Sequence, residues 1–178
     1  MRSSFIVAGA MLIVASMSAG FARADDAAKA DAKKTTSATY VMTGLHCPPC
    51  TQVVEKSLSA APGVKSIKVD WNTKNAKVEF DESKVPAQKV SELIAATPHM
   101  MGASMHYGSW LALKAPDLKD DAAGKKAKEV LSKVAGVKTV EAFPAQHVVE
   151  VQFVSQGKTT TADLIDALAG AGIKAETY

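Results

Sequence analysis

The sequence predicts an α+β chain made of two successive βαββαβ sandwiches, and three observations predict it. From residue 39 onward, short runs with period-two alternation trade places with longer helical stretches, and each kind of element occurs twice. The segment Leu58-Ser59-Ala60-Ala61-Pro62-Gly63-Val64-Lys65-Ser66-Ile67 aligns without gaps on Leu131-Ser132-Lys133-Val134-Ala135-Gly136-Val137-Lys138-Thr139-Val140, an offset of 73 (131 − 58). At the same offset Val78-Glu79-Phe80 falls on Val151-Gln152-Phe153, and Leu93-Ile94 returns two residues early as Leu164-Ile165. The 178 residues, 47% hydrophobic and 22% charged, suffice for one mid-sized domain or two small ones and exclude wholesale disorder.

The elements follow in order. The chain opens Met1-Arg2 and runs uncharged from Ser3 to Ala22, most apolar beside the basic end, then closes with Ala22-Arg23-Ala24. That is the layout of a secretory leader over 1–24, cut after Ala24, and it places the protein in the periplasm. The alternative is an uncleaved membrane tether, since about 20 uncharged residues can just span a bilayer. Cleavage removes Arg2 and Arg23, leaving a nearly neutral chain with no hold on a membrane. Residues 25–38 carry nothing larger than Ala on the apolar side and read as a flexible tether.

Unit one, 39–107, is predicted as a strand at 39–45, a helix at 49–60, a hairpin of strands 64–71 and 76–80, a helix at 86–96 and a last strand at 103–107. Unit two, 109–178, repeats the order with strands near 110–115, 137–143, 148–154 and 173–177 and helices near 121–134 and 160–169. Each half is then a ferredoxin-like split βαβ sandwich. Units of about 70 residues are near the lower limit for independent cores, so the two are expected to pack on each other.

Charge and cysteine content narrow the functions. The 21 basic and 18 acidic residues give +3, too slight a surplus for a nucleic-acid-binding face. Two cysteines exclude a disulfide-rich scaffold and an all-cysteine zinc site. Both lie in Gly44-Leu45-His46-Cys47-Pro48-Pro49-Cys50, where the first strand gives way to the first helix. The dipole and N–H groups at a helix N-terminus favour thiolate, the form that binds metal. Pro48 and Pro49 suit the first turn and stiffen the loop, but remove two N–H donors. Two sulfurs on a short loop without Asp or Glu favour a soft ion with few ligands: Cu(I) first, Hg(II) next, with Zn(II) short of its usual four ligands.

Gly44-Leu45-His46-Cys47-Pro48-Pro49-Cys50, followed by Val54, Leu58, Pro62-Gly63-Val64, Ile67, Val69, Val78 and Phe80, resembles a heavy-metal-associated domain, the fold of copper metallochaperones and periplasmic mercury-binding proteins. The resemblance covers essentially all of unit one and implies that Cys47 and Cys50 hold the metal and pass it to another envelope protein. Leu45 stands where that family usually has Met, and His46 where it has Thr or a similar residue. Unit two resembles the family through Gly136-Val137, Phe153 and 164–173, but at the offset of 73 Cys47 falls on Asp120 and Cys50 on Ala123. It reads as a degenerate copy serving packing, dimerisation or partner docking.

In a βαββαβ unit the loop after the second helix opens at the same end as the first strand–helix loop. This brings Pro98-His99-Met100-Met101-Gly102 towards the cysteines, so that His99, Met100 or Met101 could add a ligand or shield the ion. The bland reading makes the methionines apolar filler and the histidine solvated. His46 could ligate or tune the thiolates, or simply face solvent. Met105 and His106 are expected on core and surface respectively, Met42 in the core, and Trp71 near the hairpin tip at the site end.

The leading reading is an exported metal carrier and not an enzyme. A thiol–disulfide oxidoreductase also places a CxxC at a helix N-terminus, with Thr97-Pro98 as a counterpart to the cis-proline of such enzymes; His46 before the cysteine and a hairpin directly after the first helix count against it. A third reading is a binding module whose two cysteines form a local disulfide. No phosphate loop, nucleophile elbow or acid–base carboxylate pair is present.

Overall fold

The computed structural model describes residues 35–178. The leader expected over 1–24, its cleavage after Ala24 and the tether up to 34 lie outside the described residues. The elements are β1 (Thr35–Thr43), α1 (Pro48–Ser59), β2 (Val64–Asp70), β3 (Asn75–Asp81), α2 (Ala87–Ala96), β4 (Gly108–Lys114), α3 (Asp121–Leu131), β5 (Val137–Phe143), a 3-10 turn (Pro144–Gln146), β6 (Val148–Phe153), α4 (Thr161–Gly170) and β7 (Glu176–Thr177). β1 begins four residues before its expected start. The end of the predicted tether is therefore part of the sheet, with Ala38 fully buried.

All strands belong to one antiparallel sheet in the order β2-β3-β1-β4-β6-β5, with β7 against the end of β4. The first βαββαβ traverse is β1-α1-β2-β3-α2-β4, and the second is β4-α3-β5-β6-α4-β7. The two traverses share β4. The strand expected at 103–107 is instead turn and irregular chain, and the segment 108–114 does the work of both the last strand of one unit and the first of the next. One strand can do this because it has two hydrogen-bonding edges: β4 pairs β1 through Gly108–Ala112 on one side and β6 through Leu111–Lys114 on the other. In a separate first sheet β4 would be an unpaired edge, and fusion covers that edge with β6.

Register aligns the buried side chains on one face. Ile67 lies opposite Val78, Val78 opposite Ala38, Tyr40 opposite Leu111, Leu111 opposite Val151 and Val151 opposite Val140. These residues and the apolar positions of all four helices form a single core, so all four helices cover the same face. Alternation turns Val41, Trp110, Ala112, Val148 and Glu150 to the other side. Because β1 and β4 are antiparallel, the loop after β1 and the loop after β4 open at opposite ends of the sheet. Among the described residues no helix is long and apolar enough to cross a membrane.

Polar contacts seal the seam between the two traverses. Gln88 on α2 is fully buried; its amide donates to the Val154 carbonyl (2.9 Å) and accepts from the Thr159 backbone N–H (3.2 Å) and hydroxyl (2.8 Å). The Glu92 carboxylate accepts from the Gly157 N–H at 3.0 Å, and Glu82 accepts from the Thr161 hydroxyl at 2.7 Å.

On the uncovered face Glu150 lies directly across from Glu141. Partial burial, reinforced by the Glu141 charge, raises its pKa above the ordinary glutamate range. An acid with a folded-state pKa above its unfolded one lowers stability wherever it is ionised, and that loss develops as pH rises from about 4.3 through the raised value. Glu150→Gln is therefore expected to raise the urea midpoint at neutral pH and to leave it unchanged below about pH 4.

Candidate metal centre

The site is built on the turn from β1 into α1. Gly44 ends the strand at φ +80°, and a β-carbon there would overlap the His106 carbonyl oxygen, so only glycine permits this close approach of two loops. Leu45 follows and is buried, anchoring the loop in the core, while His46 is exposed. Gly44→Ala is expected to lower stability by more than about 1 kcal/mol and to loosen the metal loop, read together as a lower urea midpoint and weaker metal retention.

Cys47 occupies the N-cap of α1 in an extended conformation, and its side chain makes no capping hydrogen bond. Pro48 and Pro49 form the start of the helix and supply no N–H, and the Cys50 N–H is bonded to the Cys47 carbonyl at 3.0 Å. Thr51 donates its hydroxyl to the Pro48 carbonyl at 2.9 Å and stiffens the turn. Cys50 is fully buried and Cys47 half-buried. The two are joined as a disulfide, with Cα atoms 5.3 Å apart. In this form neither sulfur can ligate. Two-electron reduction frees two thiolates within the span of one ion, given metal–sulfur bonds of about 2.3 Å.

The loop after α2 does reach this end of the molecule. His99 Nε2 donates to the Gly44 carbonyl at 2.8 Å, and its Nδ1 accepts from the Met101 N–H at 3.1 Å. The imidazole ring packs against buried Tyr107, with centroids 4.5 Å apart, and meets the edge of His46 at 5.7 Å. His99 is thus neither solvated nor available as a ligand in this state, because both nitrogens are engaged. Met100 and Met101 are 54% and 60% exposed, so they are not core filler. Met42 is buried and His106 exposed, as expected, whereas Met105, expected in the core, is only half-buried, because 103–107 is turn and irregular chain and not a strand. Trp71 lies at the hairpin tip with the Lys74 ammonium over its ring, and the Lys74 carbonyl accepts from Met42 N–H at 2.7 Å, which places the tip at the site end. The peptide before Pro98 is trans, and no cis bond occurs among the described residues.

The corresponding position in the second traverse is put to a different use. Asp120 is the N-cap of α3 and accepts from the Ala123 N–H at 2.8 Å, so its carboxylate stabilises the helix. This turn lies at the far end of the sheet and contributes nothing to Cys47 and Cys50. The role of Tyr107 and the latch from His99 to Gly44 had no signal in the sequence: the first depends on where the chain enters β4, the second on two loops 55 residues apart.

Fold and site together define a small βαββαβ domain that presents a vicinal cysteine pair at the head of its first helix. The model of the heavy-metal-associated domain matches residues 39–99. The mercuric transport protein periplasmic component of Pseudomonas aeruginosa is 33% identical over 61 residues, which are 34% of this chain and 67% of that protein. Its counterpart from an Alcaligenes species is 34% identical over 58 residues, 33% of this chain and 64% of that one. The chain therefore belongs to the heavy-metal-associated domain family, and it spans about two thirds of the length of these relatives. Among solved structures, oxidised MerP from Ralstonia metallidurans CH34 is 28% identical, with a TM-score of 0.36 over 42% of this chain and 96% of that one. The water-soluble region of the P-type ATPase CopA from Bacillus subtilis is 20% identical, with a TM-score of 0.40 over 80% of this chain and 91% of that one.

Proposed function

We propose that this protein is an exported carrier, not an enzyme, that binds one soft metal ion through Cys47 and Cys50 and passes it to a metal-handling protein of the cell envelope by thiolate exchange. The observation that carries this reading is the placement of the two sulfurs. They bracket the first turn of α1, one half-buried and one fully buried, with 5.3 Å between their Cα atoms. A two-sulfur site leaves the ion coordinatively unsaturated, so an incoming thiolate can bind before a resident one departs. Softness favours Cu(I) and Hg(II) over Zn(II), and the names of the mercuric transport relatives support Hg(II). In this reading 39–107 is the metal-binding unit, 109–178 is a degenerate copy that braces it through β4, and a leader over 1–24 directs the chain to the periplasm.

The test is anaerobic titration of the reduced protein with Cu(I), Hg(II) and Zn(II), beside the Cys47→Ser/Cys50→Ser double variant. One tightly held soft ion per chain, absent from the variant, is the expected result; equal affinity in both would overturn the proposal. The disulfide itself favours a second reading, in which the pair works as a redox couple or merely braces the loop. Thiol counting on protein taken from cells and an insulin-reduction assay separate these readings, since a carrier is expected to show little turnover.

A further inference from the structure

We propose that His99 is a positioning residue for the metal loop, locked as the Nε2–H tautomer, and not a third ligand. This rests on the carrier reading for its consequence but not for its geometry. Met101 N–H can only donate, so the Nδ1 it meets must be the unprotonated nitrogen. The Gly44 carbonyl can only accept, so the Nε2 it meets must carry the proton. The two neighbours thus dictate one neutral tautomer, and neither nitrogen keeps a lone pair free for metal.

The contacts also fix where the ring sits. Tyr107, 1% exposed, supports one side of it, and the edge of His46 meets it from the metal loop. Gly44 is consequently held twice: its carbonyl by His99, and its α-carbon by close approach to the His106 backbone. Only Leu45 and His46 separate that clamp from Cys47. The loop that carries the sulfurs and the loop that carries exposed Met100 and Met101 are therefore bolted into one body. Outer-shell partners that orient ligands typically alter metal affinity by about 10–100-fold, the range in which the latch is expected to act.

Nitrogen-15 spectra of the imidazoles in the reduced full-length chain, recorded before and after one equivalent of Hg(II), test the tautomer. His99 is expected to show a protonated Nε2 and an unprotonated Nδ1 in both, and a metal-induced shift of either nitrogen would overturn the proposal. Release of Hg(II) to a competing chelator tests the positioning. His99→Phe keeps the ring packing and loses both hydrogen bonds, and is expected to hold the ion about tenfold less tightly. His99→Gln can return an N–H to the Gly44 carbonyl and is expected to recover most of that loss. Wild-type retention by His99→Phe would reduce the residue to simple packing and overturn the proposal. If the reduced wild type bound no Hg(II) at all, the carrier reading would fail, while the tautomer in the disulfide form would still decide the latch.

Discussion

Cys50→Ser is expected to lose both metal affinity and fold stability, whereas Cys47→Ser should lose metal affinity alone. Each variant keeps one sulfur, so each should bind Cu(I) or Hg(II) more weakly by well over about 100-fold, beyond the upper range for losing an outer-shell partner. The difference between them comes from burial. Cys50, in the first turn of α1, is fully enclosed in the core, so Cys50→Ser puts a polar hydroxyl where an apolar sulfur packs; a buried polar group short of partners costs about 1–3 kcal/mol. Cys47 is only half-buried at the N-cap, where serine is a favoured residue and its hydroxyl is not sealed from solvent. Urea denaturation under reductant removes the disulfide from the comparison, and chelator competition reads the affinity. Equal urea midpoints would show that the burial of Cys50 carries no energetic weight, and retained affinity in Cys47→Ser would show that the sulfur pair is not the site.

Gln88→Leu is expected to destabilise the whole chain by about 3–5 kcal/mol, the upper range for one substitution. Leucine is close to glutamine in size, so the effect reports lost polar contacts and not a cavity. Three hydrogen bonds to the 154–159 segment disappear, leaving the buried Thr159 N–H and the Val154 carbonyl without the fully buried Gln88 amide that partners them. The packing cannot relax inward, because β-carbons at Gly136 and Gly157 would already overlap the Gln88 amide. Since β4 belongs to both traverses, wild type and variant alike should unfold in a single transition. Two resolved transitions in the wild type would show that the shared strand does not couple the halves. A loss below about 1 kcal/mol would show that the Gln88 junction is not what joins them.

Alternating hydrophobicity and the offset of 73 were enough to place the four helices and most strands within a few residues. Those patterns reflect burial on one face, which each segment must satisfy by itself. The strand at 103–107 failed for a non-local reason. Its residues alternate acceptably, but the neighbouring segment 108–114 pairs β1, and no local pattern records which of two adjacent stretches wins a partner more than sixty residues away. The same holds for the site. Cys47 and Cys50 were legible because their spacing and the prolines between them are local, whereas the placement of His99, Met100 and Met101 depended on a loop whose course is set by contacts with Gly44 and Tyr107.

The sequence by itself determined the α+β class, the repeated βαββαβ order, the paired sulfurs at the strand–helix turn and their absence from the second half. Only the tertiary structure decided that one strand serves both halves, that the two strand–helix turns face opposite ends of the sheet, and that the histidine beside the methionines holds the metal loop with both nitrogens. The division has a physical cause. Periodicity and residue type encode what each segment must bury or ionise, while hydrogen bonds between distant segments are chosen by competition among partners once the chain has folded.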